Sequence, residues 1–245
     1  MKLNIAVLPG DGIGPEVTDQ AVKALKAIAI EFDHSFTFTY APVGAVAIDE
    51  TGDPLPKQTL DLCKTTDAIL FGAIGDPKYD NNPSATIRPE QGLLKLRKSL
   101  QLFANIRPVK AYSQLLEKSP LKEHIIKGTD ISIYRELTGG IYFGEKYLSD
   151  DKNTASDLCE YSRLEIERIS HLAFKAAQSR SFNVTLIDKA NVLEATELWR
   201  QIMIDISKEY PEVELTHMYV DNAAMQLVLN PKQFDVMLTG NIFGD

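Results

Sequence analysis

Short apolar runs of strand length recur along this chain, and most are followed by a segment of helical period. Residues 3–8 (LNIAVL) and 67–71 (DAILF) read as buried strands, 184–188 (VTLID) and 234–238 (FDVML) as further strands, the last of buried type over 236–238. Runs of that kind mark parallel strands, whose neighbours must be joined by long return connections. Residues 36–40 alternate as a strand should, and 103–109, 130–135 and 213–220 complete the set. Helical segments fill the intervals at 16–32, 57–64, from Pro89 onward, 160–179, 192–207 and 222–229. This alternation predicts an α/β fold with a largely parallel sheet. The first helix should turn Val17, Ala21, Leu25, Ile28 and Phe32 inward as one stripe, and helix 160–179 should bury Tyr161, Leu164, Ile169, Leu172, Ala173 and Ala176.

Three stretches break the rhythm. A loop containing Gly52-Asp53-Pro54 follows the second strand, and residues 72–87 are rich in Gly, Pro and Asn without periodicity, which predicts a functional loop. Residues 139–153 form an irregular, partly aromatic arm. The expected division is a first domain over 1–102 and a second over 103–245. The strand at 236–238 runs into a loop that nothing continues, an ending with the character of a truncation.

With 245 residues the chain can bury a substantial core. A formal charge of −8 leaves no basic surplus to displace counterions, which argues against a nucleic-acid partner. No apolar run approaches the length needed to cross a bilayer, and the apolar start before Pro9-Gly10 is too short for a signal peptide. The two cysteines, Cys63 and Cys159, have no ligand-like spacing and suit buried thiols in a reducing compartment. A cytoplasmic protein is the expectation. The four histidines form no cluster, which argues against zinc.

Six motifs carry candidate chemistry, each with an ordinary structural alternative. In RPEQGLLKLRKSLQLFANIRP, a helix places Glu90, Leu94 and Arg97 on one face, with Leu93 four residues before Arg97 and Arg107 at the end of the next strand. Two arginines and an apolar pair suit a small dicarboxylate with a branched hydrocarbon arm, and equally an amphipathic helix. GDGIGPE invites a dinucleotide reading, but Pro15 stands where the fingerprint needs its third glycine, so a tight strand-to-helix turn fits as well. In YRELTGGIYFG, Arg135 ends a strand and the glycine pair lets the backbone reverse to present Tyr142, as a proton donor or as a core aromatic. DKANVLEATELWR puts Lys189 and Asn191 at a strand-to-helix junction, where α/β ligand sites form and solvated lysines are also common. VDNAAMQLV and LTGNIFGD each follow a strand with an aspartate, Asp221 and Asp245, fit for helix capping or for a hard divalent ion.

Taken together and in order, these motifs resemble the 3-isopropylmalate dehydrogenases of the isocitrate/isopropylmalate dehydrogenase family, along the whole of residues 1–245. The resemblance implies that family's two-domain fold, which is not a Rossmann fold, with the C-terminal part of the first domain missing. It implies a cofactor-side first domain and a second domain for substrate and dimerisation. By the family pattern Arg97, Arg107 and Arg135 hold the malate carboxylates, Leu93 and Leu94 receive the isopropyl arm, and Val192 lies nearby. Tyr142 corresponds to the proton donor, Lys189 to the general base, and Asp221 and Asp245 to ligands of Mg²⁺ or Mn²⁺, with Asp221 also at the substrate. Glu90 and Asn191 border the nicotinamide ribose, and the loop from Asp76, Pro77 and Lys78 to Glu90 lies along NAD. Lys189 and Asp221 serve the neighbouring subunit in the family, so a homodimer with shared active sites is implied, clasped by the 139–153 arm. The implied reaction is oxidative decarboxylation of 3-isopropylmalate to 4-methyl-2-oxopentanoate with reduction of NAD, in leucine biosynthesis. The rival readings are a sibling enzyme acting on isocitrate, homoisocitrate or tartrate, and an inactive fragment. A polar substrate arm would be left unpaired against Leu93-Leu94.

Overall fold

The computed structural model describes residues 1–82 and 85–245, which divide into two compact units, Met1–Gln101 and Leu102–Asp245. In the first unit, strand β1 (Lys2–Gly10) leads through a glycine turn into helix α1 (Gly14–Glu31) and then β2 (Ser35–Tyr40). Helices α2 (Ala45–Thr51) and α3 (Lys57–Thr65) precede β3 (Ala68–Ala73), and short α4 (Pro77–Asp80) and α5 (Pro89–Ser99) follow it. The sheet is parallel in the order β2-β1-β3. Alternate residues of β1 serve opposite faces: Ile5 and Val7 meet Val22 of α1, whereas Ala6 and Leu8 join Val43, Leu55, Cys63 and Leu96.

Helix α1 starts earlier than its apolar periodicity suggests and faces differently. The buried row is Gly14, Thr18 and Val22, while Val17, Ile28 and Phe32 of the expected stripe are exposed. Close approach at the helix start decides this. A Cβ on Gly14 would lie 2.0 Å from the Pro9 carbonyl oxygen and 2.9 Å from the Ala73 nitrogen, so the first turn is pressed onto β1 and β3 and fixes the helix rotation. The Thr18 hydroxyl, buried in that row, donates to the Gly14 carbonyl at 2.8 Å. Helix α2 occupies a stretch that reads as loop, because its signal is remote: the buried Asp11 carboxylate accepts from the Ala45 and Val46 amides at 2.8 and 3.0 Å. Strand β3 is half-buried at a sheet edge rather than fully covered. Within the aperiodic 72–87 stretch, residues 77–80 form α4; Pro83 and Ser84 lie outside the described residues.

The second unit opens with β4 (Ala104–Lys110), a 3₁₀ turn at Ser113–Lys118, the short helix α6 (Glu123–Ile126) and β5 (Asp130–Glu136). A hairpin of β6 (Lys146–Leu148) and β7 (Ala155–Asp157) leads to α7 (Arg163–Gln178), β8 (Asn183–Asp188), α8 (Glu194–Ser207) and β9 (Glu214–Tyr219). Helix α9 (Val220–Leu229) and β10 (Val236–Thr239) complete it. The sheet order is β4-β5-β10-β8-β9, with β4 antiparallel to β5 and the other pairs parallel. Helices α7 and α8 cover one face through Ile166, Ile169, Phe174, Trp199, Ile202 and Met203, and α9 covers part of the other through Ala223.

Leu164 is exposed, and Ile166, Phe174 and Ala177 take the inward row with Ile169 and Ala173. The helix is entered at Arg163 from a Ser162–Glu165 capping box, which leaves Leu164 in the first turn ahead of the core contact. The arm is an antiparallel hairpin reaching Asp157, beyond the expected end at 153.

Candidate active site

Parallel strands of the second unit all end on one edge, and the candidate side chains gather there, as the rule for open α/β sheets requires. They form two clusters. In the first, Arg107 stands mid-strand in β4, not at the expected strand end, because pairing with β5 continues to Lys110; it donates to the Gly244 carbonyl at 2.6 Å, with its guanidinium 4.0 Å from Asp245 Oδ1. Arg135 ends β5 with its side chain only 6% exposed, donating from Nη1 to Asp245 Oδ1 at 2.8 Å. The Tyr142 hydroxyl donates to Asp245 Oδ2 at 2.9 Å, and the Arg135 guanidinium lies 5.9 Å from the Tyr142 ring centre. That bond to Asp245, with some burial, raises the Tyr142 phenol above its ordinary value, so it keeps its proton. The same bond, together with the Arg135 charge, holds Asp245 below the ordinary carboxylate range.

The second cluster stands at the ends of β8 and β9. Asp188, almost wholly buried, receives a two-pronged bond from Arg200 at 2.8 and 2.9 Å and accepts the Ala190 amide at 3.1 Å. That fixed turn presents Lys189, whose Nζ lies 2.9 Å from Asp221 Oδ1 and 5.7 Å from the Tyr219 ring centre. Bonding to Lys189 lowers the Asp221 carboxyl. Asn191 and Val192 follow, both exposed.

The two aspartates expected at the metal, one of them lent by a neighbouring subunit in the family, bond different partners in this chain. Asp245 belongs to the first cluster and Asp221 to the second, and among the described residues no group of three His, Cys, Asp or Glu side chains could hold an ion. Strand order explains this: β8 lies between β10 and β9, so the two loops are about two strand spacings, roughly 10 Å, apart. Two carboxylates sharing one small ion need oxygens about 2 Å from it.

In the first unit, α5 buries Pro89, Gly92 and Leu96, leaving Leu93, Leu94 and Arg97 half-buried and Glu90 exposed. Asp76 caps α4 by accepting the Lys78 amide at 2.9 Å, Pro77 takes the first helical position, and the Lys78 ammonium pairs with Asp49. The GDGIGPE turn answers to packing: Gly10 takes φ +71°, and besides α2 Asp11 accepts the Gly75 amide at 3.0 Å.

Sequence reasoning passed over Asp11, Asp188, Arg200 and Asn241 as functional supports. Asp188 and Arg200 lie twelve apart in the DKANVLEATELWR motif, with the arginine on the following helix, a signal that was available. Asn241 sits inside LTGNIFGD, but its partner is Arg135, 106 positions away.

Two arginines beside an ionised carboxylate and a protonated phenol, on the carboxyl edge of a parallel sheet, define an enzyme for a small anionic substrate with a proton to transfer. The chain matches the isocitrate/isopropylmalate dehydrogenase family over residues 4–245 and belongs to it. It is 54% identical over 248 residues to a 3-isopropylmalate dehydrogenase of Priestia megaterium, covering all of this chain and 67% of that relative. A 3-isopropylmalate dehydrogenase of Sulfurimonas denitrificans is 56% identical over 241 residues, with 98% and 67% covered. The chain thus spans about two thirds of the length of these relatives. Among solved structures, isocitrate dehydrogenase from Methylococcus capsulatus superposes with a TM-score of 0.86 at 31% identity, covering 98% of this chain and 67% of that one. A β-decarboxylating dehydrogenase from Thermococcus kodakarensis gives 0.73 at 34% identity, covering 99% and 65%.

Proposed function

We infer that the chain carries out the oxidative decarboxylation of 3-isopropylmalate to 4-methyl-2-oxopentanoate with reduction of NAD, a step of leucine biosynthesis. The observation that carries this is the Arg107–Arg135–Tyr142–Asp245 cluster, set in a chain 53–56% identical to 3-isopropylmalate dehydrogenases. By the family pattern, the two carboxylates are held by Arg97, Arg107 and Arg135. Leu93 and Leu94 receive the isopropyl arm, with Val192 beside it, and reject the additional carboxylate of isocitrate, which would lie unpaired against them. Lys189 Nζ accepts the 2-hydroxyl proton. Tyr142 returns a proton to C3 after carbon dioxide leaves, a role suited to a phenol held protonated.

Asp221 and Asp245 offer carboxylate oxygens without thiolate partners, a donor set that fits Mg²⁺ or Mn²⁺. When bound, such an ion acts as a Lewis acid on the substrate's hydroxyl and keto oxygen. NAD accepts the hydride; Asp76, Pro77, Lys78, Glu90 and Asn191 border it, making the first unit the cofactor side. Separation of Lys189 and Asp221 from the arginine cluster supports a homodimer in which each copy lends this pair to its partner. The 146–157 hairpin serves as the clasping arm. The protein works in the cytoplasm without a nucleic-acid partner.

Appearance of reduced NAD at 340 nm tests this reading. Turnover is expected with 3-isopropylmalate and Mg²⁺ or Mn²⁺, and loss of it on chelation. Equal turnover in chelator, or a preference for isocitrate, would overturn it.

A further inference from the structure

Arg135 does not stand at the site unaided. Its Nε donates to the Asn241 carbonyl at 2.9 Å and to Asn241 Oδ1 at 3.2 Å, and its Nη2 donates to the same Oδ1 at 2.9 Å. One residue thus occupies the inner edge of the guanidinium fork and leaves the outer edge, with Nη1 on Asp245, for a ligand. Asn241 is fully buried, and its Nδ2 donates to the Gly139 carbonyl at 3.1 Å, which settles which way the amide faces.

Asn241 is itself held. Its backbone N–H donates to the Tyr161 hydroxyl at 2.6 Å, and Tyr161 stands edge-on to Trp199 with ring centres 5.4 Å apart. Backbone closes around that phenol. A Cβ on Gly140 would lie 2.2 Å from the hydroxyl, one on Gly240 3.0 Å from it, and one on Gly139 2.8 Å from the ring. The tyrosine therefore joins the turn that presents Tyr142 to the loop that presents Asp245.

We propose that Asn241, anchored by Tyr161, is the positioning residue that sets the Arg135 fork for carboxylate binding and fixes the Asp245 loop beside it. The geometry reaches the ligand only through Arg135, so this rests on the proposed dicarboxylate function for its binding consequence. Its geometric consequence is independent of that reading. A bidentate contact loses most of its worth when the fork is free to turn, because the ordering cost then falls on the binding step.

Two readouts separate positioning from plain support of the fold. In the first, no substrate is needed: the Arg135 Nη2–H resonances, whose acceptor is the Asn241 side chain whereas Nε also has the backbone carbonyl, are followed in arginine-labelled protein and assigned by their absence in Arg135→Lys. Slow exchange with solvent is expected in the natural protein, fast exchange in Asn241→Ala, and recovery of slow exchange in Asn241→Asp, which retains an acceptor. In the second, calorimetry measures 3-isopropylmalate binding. Asn241→Ala is expected to weaken it by about tenfold or more, and Tyr161→Phe by several-fold, with far-UV dichroism unchanged. Tyr161→Phe keeps the ring among the glycines, so it remains informative if Asn241→Ala does not fold. Slow Nη2–H exchange in Asn241→Ala would overturn the proposal, as would unchanged binding in both variants alongside tight binding by the natural protein. Absence of binding by the natural protein itself would count against the functional reading, and the exchange experiment would still decide the positioning role.

Discussion

Gly72 and Gly52 look alike in the sequence, yet they are needed for different reasons. A Cβ on Gly72 would lie 2.2 Å from the Pro9 carbonyl oxygen, which belongs to β1 and cannot yield, whereas Gly52 has open space around it and a φ of +79°. Gly72→Ala should therefore cost about 1–3 kcal/mol through overpacking. Gly52→Ala should cost about 1 kcal/mol through left-handed strain alone. Urea unfolding of the two variants checks the order; an equal loss would mean that β1 and β3 separate easily. His217 gives a pH-dependent counterpart. Its Nδ1 is buried without a hydrogen-bond partner among the described residues, and burial, then the Arg200 charge, lowers the ring from its ordinary value of 6.5 against a smaller opposing effect of Asp188. The unfolded chain then binds a proton that the folded chain refuses. Stability is accordingly lost as pH falls below about 6.5 and levels off below the folded value. His217→Gln should flatten the melting temperature between about pH 7 and pH 5, and parallel curves for the two proteins would exclude His217 as the cause. Arg135, Tyr142, Lys189 and Asp245 were legible as candidates because each stands next to a strand end or a glycine turn. Asn241 was not legible as Arg135's support, since nothing local in either motif announces a bond across 106 positions.

Among the elements, those whose signal is local were readable. Helix α7 begins with a capping box in which Ser162 and Glu165 exchange bonds: the Ser162 amide donates to Glu165 Oε2 at 2.7 Å, and the Glu165 amide to Ser162 Oγ at 3.4 Å. Ser162→Ala should lower stability by about 1 kcal/mol in chemical denaturation. Because residue 162 follows Tyr161, the same variant should weaken 3-isopropylmalate binding less than Tyr161→Phe does. The reverse order would shift the anchoring role from the phenol to the helix start. Helix α2 was not readable, because its first turn is capped by Asp11, 34 positions away, with no side-chain cap of its own. The rotation of α1 escaped for a related reason. Apolar periodicity weighs side-chain size, but a contact through Gly14 and Thr18 lets the smallest residues choose the buried face, exposing Val17, Ile28 and Phe32.

At the scale of the molecule, the strand order decides how a site can be completed. Because β8 stands between β10 and β9, the chain carries two half-sets of chemistry on one sheet edge: carboxylate recognition and a phenol with Asp245, and an amine with Asp221. Neither half is sufficient for the proposed reaction, and each lacks what the other has. The proposed two-fold pairing would satisfy both at once, since an isologous contact that brings one copy's Lys189 to its partner's Arg135 would bring the reciprocal pair together too. This makes a quantitative prediction for mixed assemblies. Arg135→Ala and Lys189→Ala copies should each be nearly inactive alone. Co-produced in equal amounts they should form mixed dimers in about half of cases, each with one site drawing both intact halves and one drawing both defective halves, so about a quarter of normal activity returns. Activity should rise to about half of normal when mixed dimers are purified through two different tags. If the mixture stays as inactive as its components while the mixed dimer is shown to form, the halves act within one chain and the shared-site arrangement is wrong.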